Sequence, residues 1–284
     1  VRFAAQLGFE IDKETQDAIK ELAPTMAKVS AERIQVELVK LLTSDHPEMM
    51  RNLYELGLTK VFMPEFDVMM QTPQNNKHHM YSVGEHTIRT LMNVRADKVL
   101  RLTMLLHDVA KPVCITTDEE GQDHFKKHPA VGADMTKQIL RRLKFDNKTI
   151  DCCCRLVKEH DDRPQITPKN VRRAMSRIGA GLFPMLFEVK RADMLGQSLY
   201  KRKEKMAYID EFERVYNEIL SDDQCVSKKD MKINGRDLIN LGMEPGQKLG
   251  EILDKLYEMV LDDPELNDHE KLIEHANKII STLI

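Results

Sequence analysis

The sequence contains no tryptophan, and aromatic residues make up only 5% of it. It is also poor in turn formers, with 12 glycines and 11 prolines in 284 residues. Together with 17 methionines, these scarcities suggest a mostly helical chain. No apolar run approaches the ~18 residues that suggest a membrane-crossing helix, and no charged-then-apolar leader opens the chain. These absences predict a cytoplasmic protein that takes no membrane partner. A net charge of −3 excludes a globally basic nucleic-acid coat but leaves room for local basic surfaces. The five cysteines are an odd number, and Cys152, Cys153 and Cys154 are consecutive. Neighbours on a helix point ~100° apart, so these three cannot converge on one ion. A disulfide framework does not suit so long and helical a chain. The cysteines read as small, half-buried helix residues.

What is present fits an ordinary globular protein: 42% hydrophobic, 31% charged, and long enough for two or three compact units. Val1 lies inside an expected helix, Arg2-Phe-Ala-Ala-Gln-Leu, and a start there without methionine predicts a piece of something longer. Residues 1–66 read as short helices. Asp12 is placed to cap one that Pro24 closes, Ser30 caps the next, and Gly57 ends a third running from Met49 to Leu56. Arg2, Arg33 and Lys40 have two readings, phosphate contacts or a solvated face. The polar run Gln71 to Lys77 marks a boundary. Helices are then expected over 83–94, from about His124–His128 to Leu143, from Thr149 to His160, and from Leu182 to Leu199, with 200–220 extending the last. Thr116 to Gln122 reads as a turn and Ser221 to Lys229 as a linker. In 230–284, two short helices meet at Gly242–Gly246, where the amides opening the second are placed to bind phosphate. A helix from Asn267 to Ile284 closes the chain.

One stretch breaks the apolar patterning: Leu105-Leu106-His107-Asp108-Val109-Ala110-Lys111. Burying an imidazole and a carboxylate is costly unless something pairs with both, and a divalent cation would. His86, His107-Asp108, His128, His160 and Asp193 each sit on or beside a separate expected helix, at gaps of 21, 20, 32 and 33 residues. Such gaps match one ligand per helix in a bundle core. The ligand set suits Ni, Mn, Co, Fe or Zn, as one ion or two, rather than a calcium-type oxygen cage; Mg is also admitted. A metal there would acidify bound water and polarise a phosphoryl oxygen, the chemistry of phosphoester hydrolysis. His107, Asp108 and Lys111 are the expected catalytic residues, with Lys111 and Arg163 placed to neutralise a substrate phosphate. His124 competes with His128 for its place.

His86, His107-Asp108 and Asp193 resemble the H…HD…D metal motif of the HD-domain phosphohydrolase superfamily, over roughly residues 77–200. His128 and His160 resemble the extra histidines of its binuclear members. A second resemblance covers nearly the whole chain. Val1-Arg2-Phe-Ala-Ala-Gln-Leu-Gly-Phe9, Ser30-Ala-Glu32-Arg33-Ile34 and Glu37-Leu38 look like the neck and body of bacterial CCA-adding enzymes and poly(A) polymerases. Asn234-Gly-Arg-Asp237-Leu-Ile-Asn-Leu-Gly242-Met-Glu-Pro245-Gly246 resembles a segment of their tail. The resemblance implies an all-α multi-helix bundle: a helical RNA-binding neck and body over 1–76, a central HD domain over 77–200, and a helical, tRNA-binding tail over 201–284. The glycine-rich nucleotide loop and the paired-aspartate metal motif of that family's polymerase head do not appear in this sequence.

Two functional classes follow. The first is a metal-dependent hydrolase of phosphomonoesters or 2′,3′-cyclic phosphodiesters, acting on a nucleotide phosphoester. The second is a binding module that grasps tRNA, or another structured RNA 3′ end, through basic clusters at Lys126-Lys127, Arg141-Arg142, Arg172-Arg173 and Lys201–Lys205. Arg163, Arg172, Arg173, Lys201 and Lys203 are its expected phosphate contacts, although each cluster taken singly is a solvated helix face. A third, blander reading makes the metal structural or the site vestigial.

Overall fold

The computed structural model describes residues 1–78 and 80–283. Among them the regular structure is helical, apart from a two-residue antiparallel hairpin that pairs Thr116–Thr117 with Asp123–His124. The chain is therefore all-α. No described helix is long and apolar enough to cross a membrane. The chain forms two compact units, Val1–Asp162 with Pro184–Ile209, and Arg163–Phe183 with Asp210–Ile284. The division at 76 and 200 separates segments by expected role, whereas compactness gathers residues 1–162 into one unit.

The core of the first unit is continuous from Ala5, Leu38, Leu41 and Leu42 through Phe66 and Met69 to Leu100, Leu105, Ile139 and Val157. Its N-terminal helices Arg2–Leu7 and Ala31–Leu42 pack together. Five further helices surround the polar cluster: Val83–Leu91, Lys98–Leu106, His128–Arg142, Asn147–Glu159 and Phe183–Gly196. Local chemistry fixes where they start. The side chain of Ser82 accepts from Glu85 N at 3.2 Å, that of Asp97 from Val99 N and Leu100 N at 2.8 and 3.0 Å, and that of Asp146 from Thr149 N at 2.9 Å. Each satisfies amide donors that a helix start leaves without partners. The four-residue link 143–146 makes His128–Arg142 and Asn147–Glu159 an antiparallel pair.

In the second unit, helices Gly235–Asn240, Gln247–Asp262 and His269–Leu283 enclose Leu238, Ile252, Leu256, Val260, Leu272 and Ala276. Ile284 lies outside the described residues. Gly246 precedes the Gln247–Asp262 helix without a side-chain cap. Asn234 opens Gly235–Asn240 with a capping box to Asp237.

One local expectation is corrected and another refined. Residues 200–220 do not extend the preceding helix: Phe183–Gly196 stops, and Arg202–Ser221 begins after a turn in which Lys201 takes φ 53°. Arg202 holds that break by donating to the carbonyls of Leu195 and Gln197 at 3.2 and 2.9 Å. The segment 116–122 also gains a hairpin, closed by Thr117 Oγ1 donating to Asp123 Oδ1 at 2.8 Å.

Candidate metal centre

His107 follows the last residue of the Lys98–Leu106 helix, and His160 occupies the same place after Asn147–Glu159. His128 opens its helix with Pro129 behind it, while His86 and Asp193 sit inside Val83–Leu91 and Phe183–Gly196. All five side chains, with Asp108 and Lys111, are buried. Five helices and the segment 107–111 thus deliver seven polar side chains to one place.

Each imidazole is held at Nδ1 by a main-chain carbonyl and turns its Nε2 toward the other polar side chains. His107 Nδ1 donates to Met104 O at 2.7 Å, His128 Nδ1 to Phe125 O at 2.8 Å and His160 Nδ1 to Val157 O at 2.7 Å. In all three the acceptor lies three residues back along the main chain. His86 Nδ1 instead reaches Gly196 O, 3.2 Å away on another helix. With hydrogen assigned to Nδ1 by these carbonyl acceptors, every Nε2 presents a lone pair.

The four Nε2 atoms converge on two carboxylates. His86 Nε2 is 2.9 Å from Asp193 Oδ1 and 3.5 Å from Asp108 Oδ2. His107 Nε2 is 3.3 Å from Asp108 Oδ2 and 3.7 Å from Asp193 Oδ1. On the other side, His128 and His160 Nε2 lie 3.4 and 3.6 Å from Asp108 Oδ1. Nε2 atoms also face one another, His86 with His107 at 3.3 Å and His128 with His160 at 3.2 Å. The donor atoms therefore form two triads, His86-His107-Asp108 and Asp108-His128-His160, that share the aspartate.

This arrangement fits a cation. Oδ1 of buried Asp108 accepts no well-formed hydrogen bond, which an interior carboxylate oxygen tolerates poorly. Facing lone pairs repel unless something positive lies between them. The charges are two carboxylates against one ammonium, Lys111 Nζ, which is 2.7 Å from Asp108 Oδ2 and donates to Gln74 Oε1 at 2.9 Å. Donation of the second ring nitrogen to a carbonyl is what metal-bound histidines ordinarily show. Without an ion, protons take that role. Burial draws His107 down, but Asp108 and Asp193 outweigh it and push the imidazole up to about 10. Burial also opposes the charge on both aspartates. His107 and Lys111 nevertheless hold Asp108 well below the usual carboxylate range, as His107 and His86 do for Asp193. His160 is lowered, chiefly by burial.

The remaining sequence-predicted residues lie elsewhere. His124 is half-buried on the hairpin and bound to Asp118 at 2.6 Å, which resolves its competition with His128. Arg172 is buried, its guanidinium donating to Leu261 O, Asp262 O and Gln224 Oε1 at 2.8–3.0 Å, so it fastens the second unit internally. Arg173 is paired with Asp262 at 2.8 Å. Arg163, Lys201 and Lys203 are exposed. All five cysteines are free thiols, and burial pushes Cys153 up to about 12.

Sequence reasoning missed the supporting residues. Gln197 Nε2 donates to Asp193 Oδ2 at 3.0 Å; its spacing four residues after Asp193 on a helix was the available signal. Buried Lys190 donates to Glu159, His160 and Asp162 carbonyls at 3.1, 2.9 and 2.6 Å. It thereby caps the helix end that carries His160 with a favourable charge. Nothing local marks Lys190 or Gln74.

Comparison with known proteins adds lineage. Residues 8–70 match the family described as "Probable RNA and SrmB- binding site of polymerase A". Residues 130–276, just over half of the chain, match "tRNA nucleotidyltransferase domain 2 putative". The chain is 29% identical over 270 residues to a CC-adding tRNA nucleotidyltransferase of Thermus thermophilus, covering 91% of this chain and 60% of that protein. It is 30% identical over 272 residues to an A-adding tRNA nucleotidyltransferase of Deinococcus radiodurans, covering 90% and 62%. Its fold is similar to that of the Bacillus stearothermophilus CCA-adding enzyme in complex with CTP, with a TM-score of 0.65 at 21% identity over 99% of this chain and 60% of that one. The chain spans about three-fifths of the length of these proteins.

Proposed function

The chain belongs to the tRNA nucleotidyltransferase family, and from that premise we propose that it is the RNA-holding portion of such an enzyme, with a divalent-metal phosphohydrolase of the HD kind at Asp108. The RNA reading rests on the family matches and on exposed cations at Lys126, Lys127, Arg141, Lys201 and Lys203. Its partner is tRNA, held by shape and phosphate in the cytoplasm. Nucleotide addition is assigned to no residue of this sequence.

One observation carries the hydrolase reading: four imidazoles, each tied by Nδ1 to a carbonyl, turn their Nε2 atoms onto two carboxylates. When bound there, a divalent ion acidifies water and polarises a phosphoryl oxygen. The protein's own part is preorganisation. The carbonyls fix the tautomers, Asp108 serves both triads, and Lys111, beside Asp108, is placed to meet a substrate phosphate. Burial keeps these charges in a low dielectric, where they act strongly.

Metal content and phosphate release should be measured together, with Ni, Mn, Co or Mg, on nucleoside 3′-phosphates and 2′,3′-cyclic phosphates. Activity that disappears with the metal in Asp108→Ala supports the proposal. Bound metal with no turnover on any substrate would sink it. That second outcome is the mark of a structural ion, a reading favoured by the complete burial of His86 and His107.

A further inference from the structure

The helix bearing Asp193 ends in a turn over 197–201 whose outer surface the hydrolase reading leaves unused. The turn is fastened on two sides. Arg202 Nη2 donates to Leu195 and Gln197 carbonyls, while Ser198 N and Oγ donate to His78 O and Lys77 O at 2.8 and 2.7 Å. Lys201 accepts a left-handed φ of 53°, a region that favours glycine, to complete it. So held, the turn presents Leu199, 76% exposed, and Tyr200, 43% exposed. The His78 ring meets Tyr200 edge-on with centroids 5.1 Å apart, and Lys201 Nζ lies 5.8 Å from the tyrosine centroid.

The same turn connects inward without a gap. Lys205 Nζ donates to His78 Nδ1 at 3.1 Å and to Gln197 Oε1 at 2.6 Å. Gln197 Nε2 donates to Asp193 Oδ2 at 3.0 Å, and Asp193 Oδ1 faces His86 Nε2. An exposed aromatic ring is thus joined through three side chains, His78, Lys205 and Gln197, to a residue of the candidate metal centre. The charge around it is mostly positive: Lys77, Lys201 and Lys203 are exposed, and Glu204, 3.8 Å from Lys201, is the one acidic residue in 197–205. A fixed aromatic face among lysines suits single-stranded nucleic acid, because every base can stack on the ring while the cations follow the phosphates.

We propose that Tyr200 is a stacking platform for a base near a single-stranded RNA 3′ end, with Lys201 and Lys203 on its phosphates, and that it delivers the terminal phosphoester to the Asp108–Asp193 centre. The platform deepens the hydrolase reading and rests on it only for the delivery. Gln197 and Lys205 act as positioning residues that keep the platform and Asp193 in register.

The test compares wild type, Tyr200→Ala and Tyr200→Phe, using a 3′-phosphorylated single-stranded RNA oligonucleotide and glycerol phosphate, a base-free phosphomonoester. Fluorescence anisotropy gives affinity, phosphate release gives turnover, and metal analysis checks the centre. Tyr200→Ala should weaken RNA binding about 5- to 150-fold, the equivalent of ~1–3 kcal/mol per stacked base. It should also lower the ratio of RNA to glycerol phosphate hydrolysis, while Tyr200→Phe keeps the ring face and stays within about twofold of wild type. Equal affinity of the Ala and Phe proteins for the oligonucleotide overturns the platform, as does loss of metal from Tyr200→Ala. If RNA binding weakens as expected but no protein hydrolyses either substrate, the platform stands, and delivery falls together with the hydrolase reading.

Discussion

Gly196→Ala tests the centre through a sign. Gly196 is the last residue of the Phe183–Gly196 helix. By helix propensity alone, glycine to alanine would stabilise the protein by about 0.5–1 kcal/mol. The surroundings forbid it. A Cβ here would stand 2.6 Å from Thr90 Cγ2 and 3.2 Å from both Cε1 and Nδ1 of His86. Thr90 and His86 are fully buried, so they have little room to retreat. Restoring ordinary contact with Thr90, at 3.4 Å or beyond, needs a shift of 3.4 − 2.6 = 0.8 Å. That movement would pull the Gly196 carbonyl away from the His86 Nδ1–H it accepts. Overpacking of this size costs about 1–3 kcal/mol, enough to reverse the propensity gain. Losing the outer hydrogen bond of a metal-binding histidine costs about 10–100-fold in metal affinity. Denaturant unfolding of the metal-free protein and calorimetric titration with Mn would measure both effects. A Gly196→Ala protein as stable as wild type, binding Mn equally well, would refute the view that His86 is positioned by this close approach.

Other outcomes follow from the same geometry. In metal-free protein, the folded-state pKa of His107, at about 10, lies above its unfolded value of about 6.5. Its contribution to stability is therefore complete below about pH 6.5 and lost as pH rises toward about 10; thermal unfolding in chelator should show this decline, and His107→Gln should flatten it. His160 is lowered, so its contribution has the opposite slope and is lost as pH falls below about 6.5. Lys190→Met should cost about 1–3 kcal/mol by stranding buried carbonyls, and should weaken metal binding at the His128–His160 triad more than at His86–His107, measurable as a fall in stoichiometry. Asp146→Ala removes the cap on Thr149 N and should lower stability by about 1 kcal/mol without changing metal content.

The helical class, most helix starts and the series of buried histidines and aspartates were legible along the chain because their causes are local. Asp12, Asp97, Asp146 and Thr167 each accept from amides two or three residues ahead. Three of the four histidines bind a carbonyl three residues behind, so even their tautomers are set by nearby backbone. The expectation that helix 182–199 continues through 200–220 failed because the break depends on longer reach: Ser198 is tied to Lys77 and His78. Likewise, Arg172 is one basic residue among several in sequence, and its role as an internal fastener exists only once Leu261 and Asp262 are beside it.

The sequence by itself determined that this is a helical chain with histidines and aspartates set into apolar faces, because periodicity and the cost of burying charge are written residue by residue. Tertiary structure alone decided that His86, from one helix, takes its hydrogen-bond acceptor from the end of another at Gly196. It alone decided that Asp108 stands between two histidine pairs, and that Lys190 secures the helix end behind His160. The first and last of these contacts join residues 110 and 30 positions apart, and only the packing of the helices brings such partners within bonding distance.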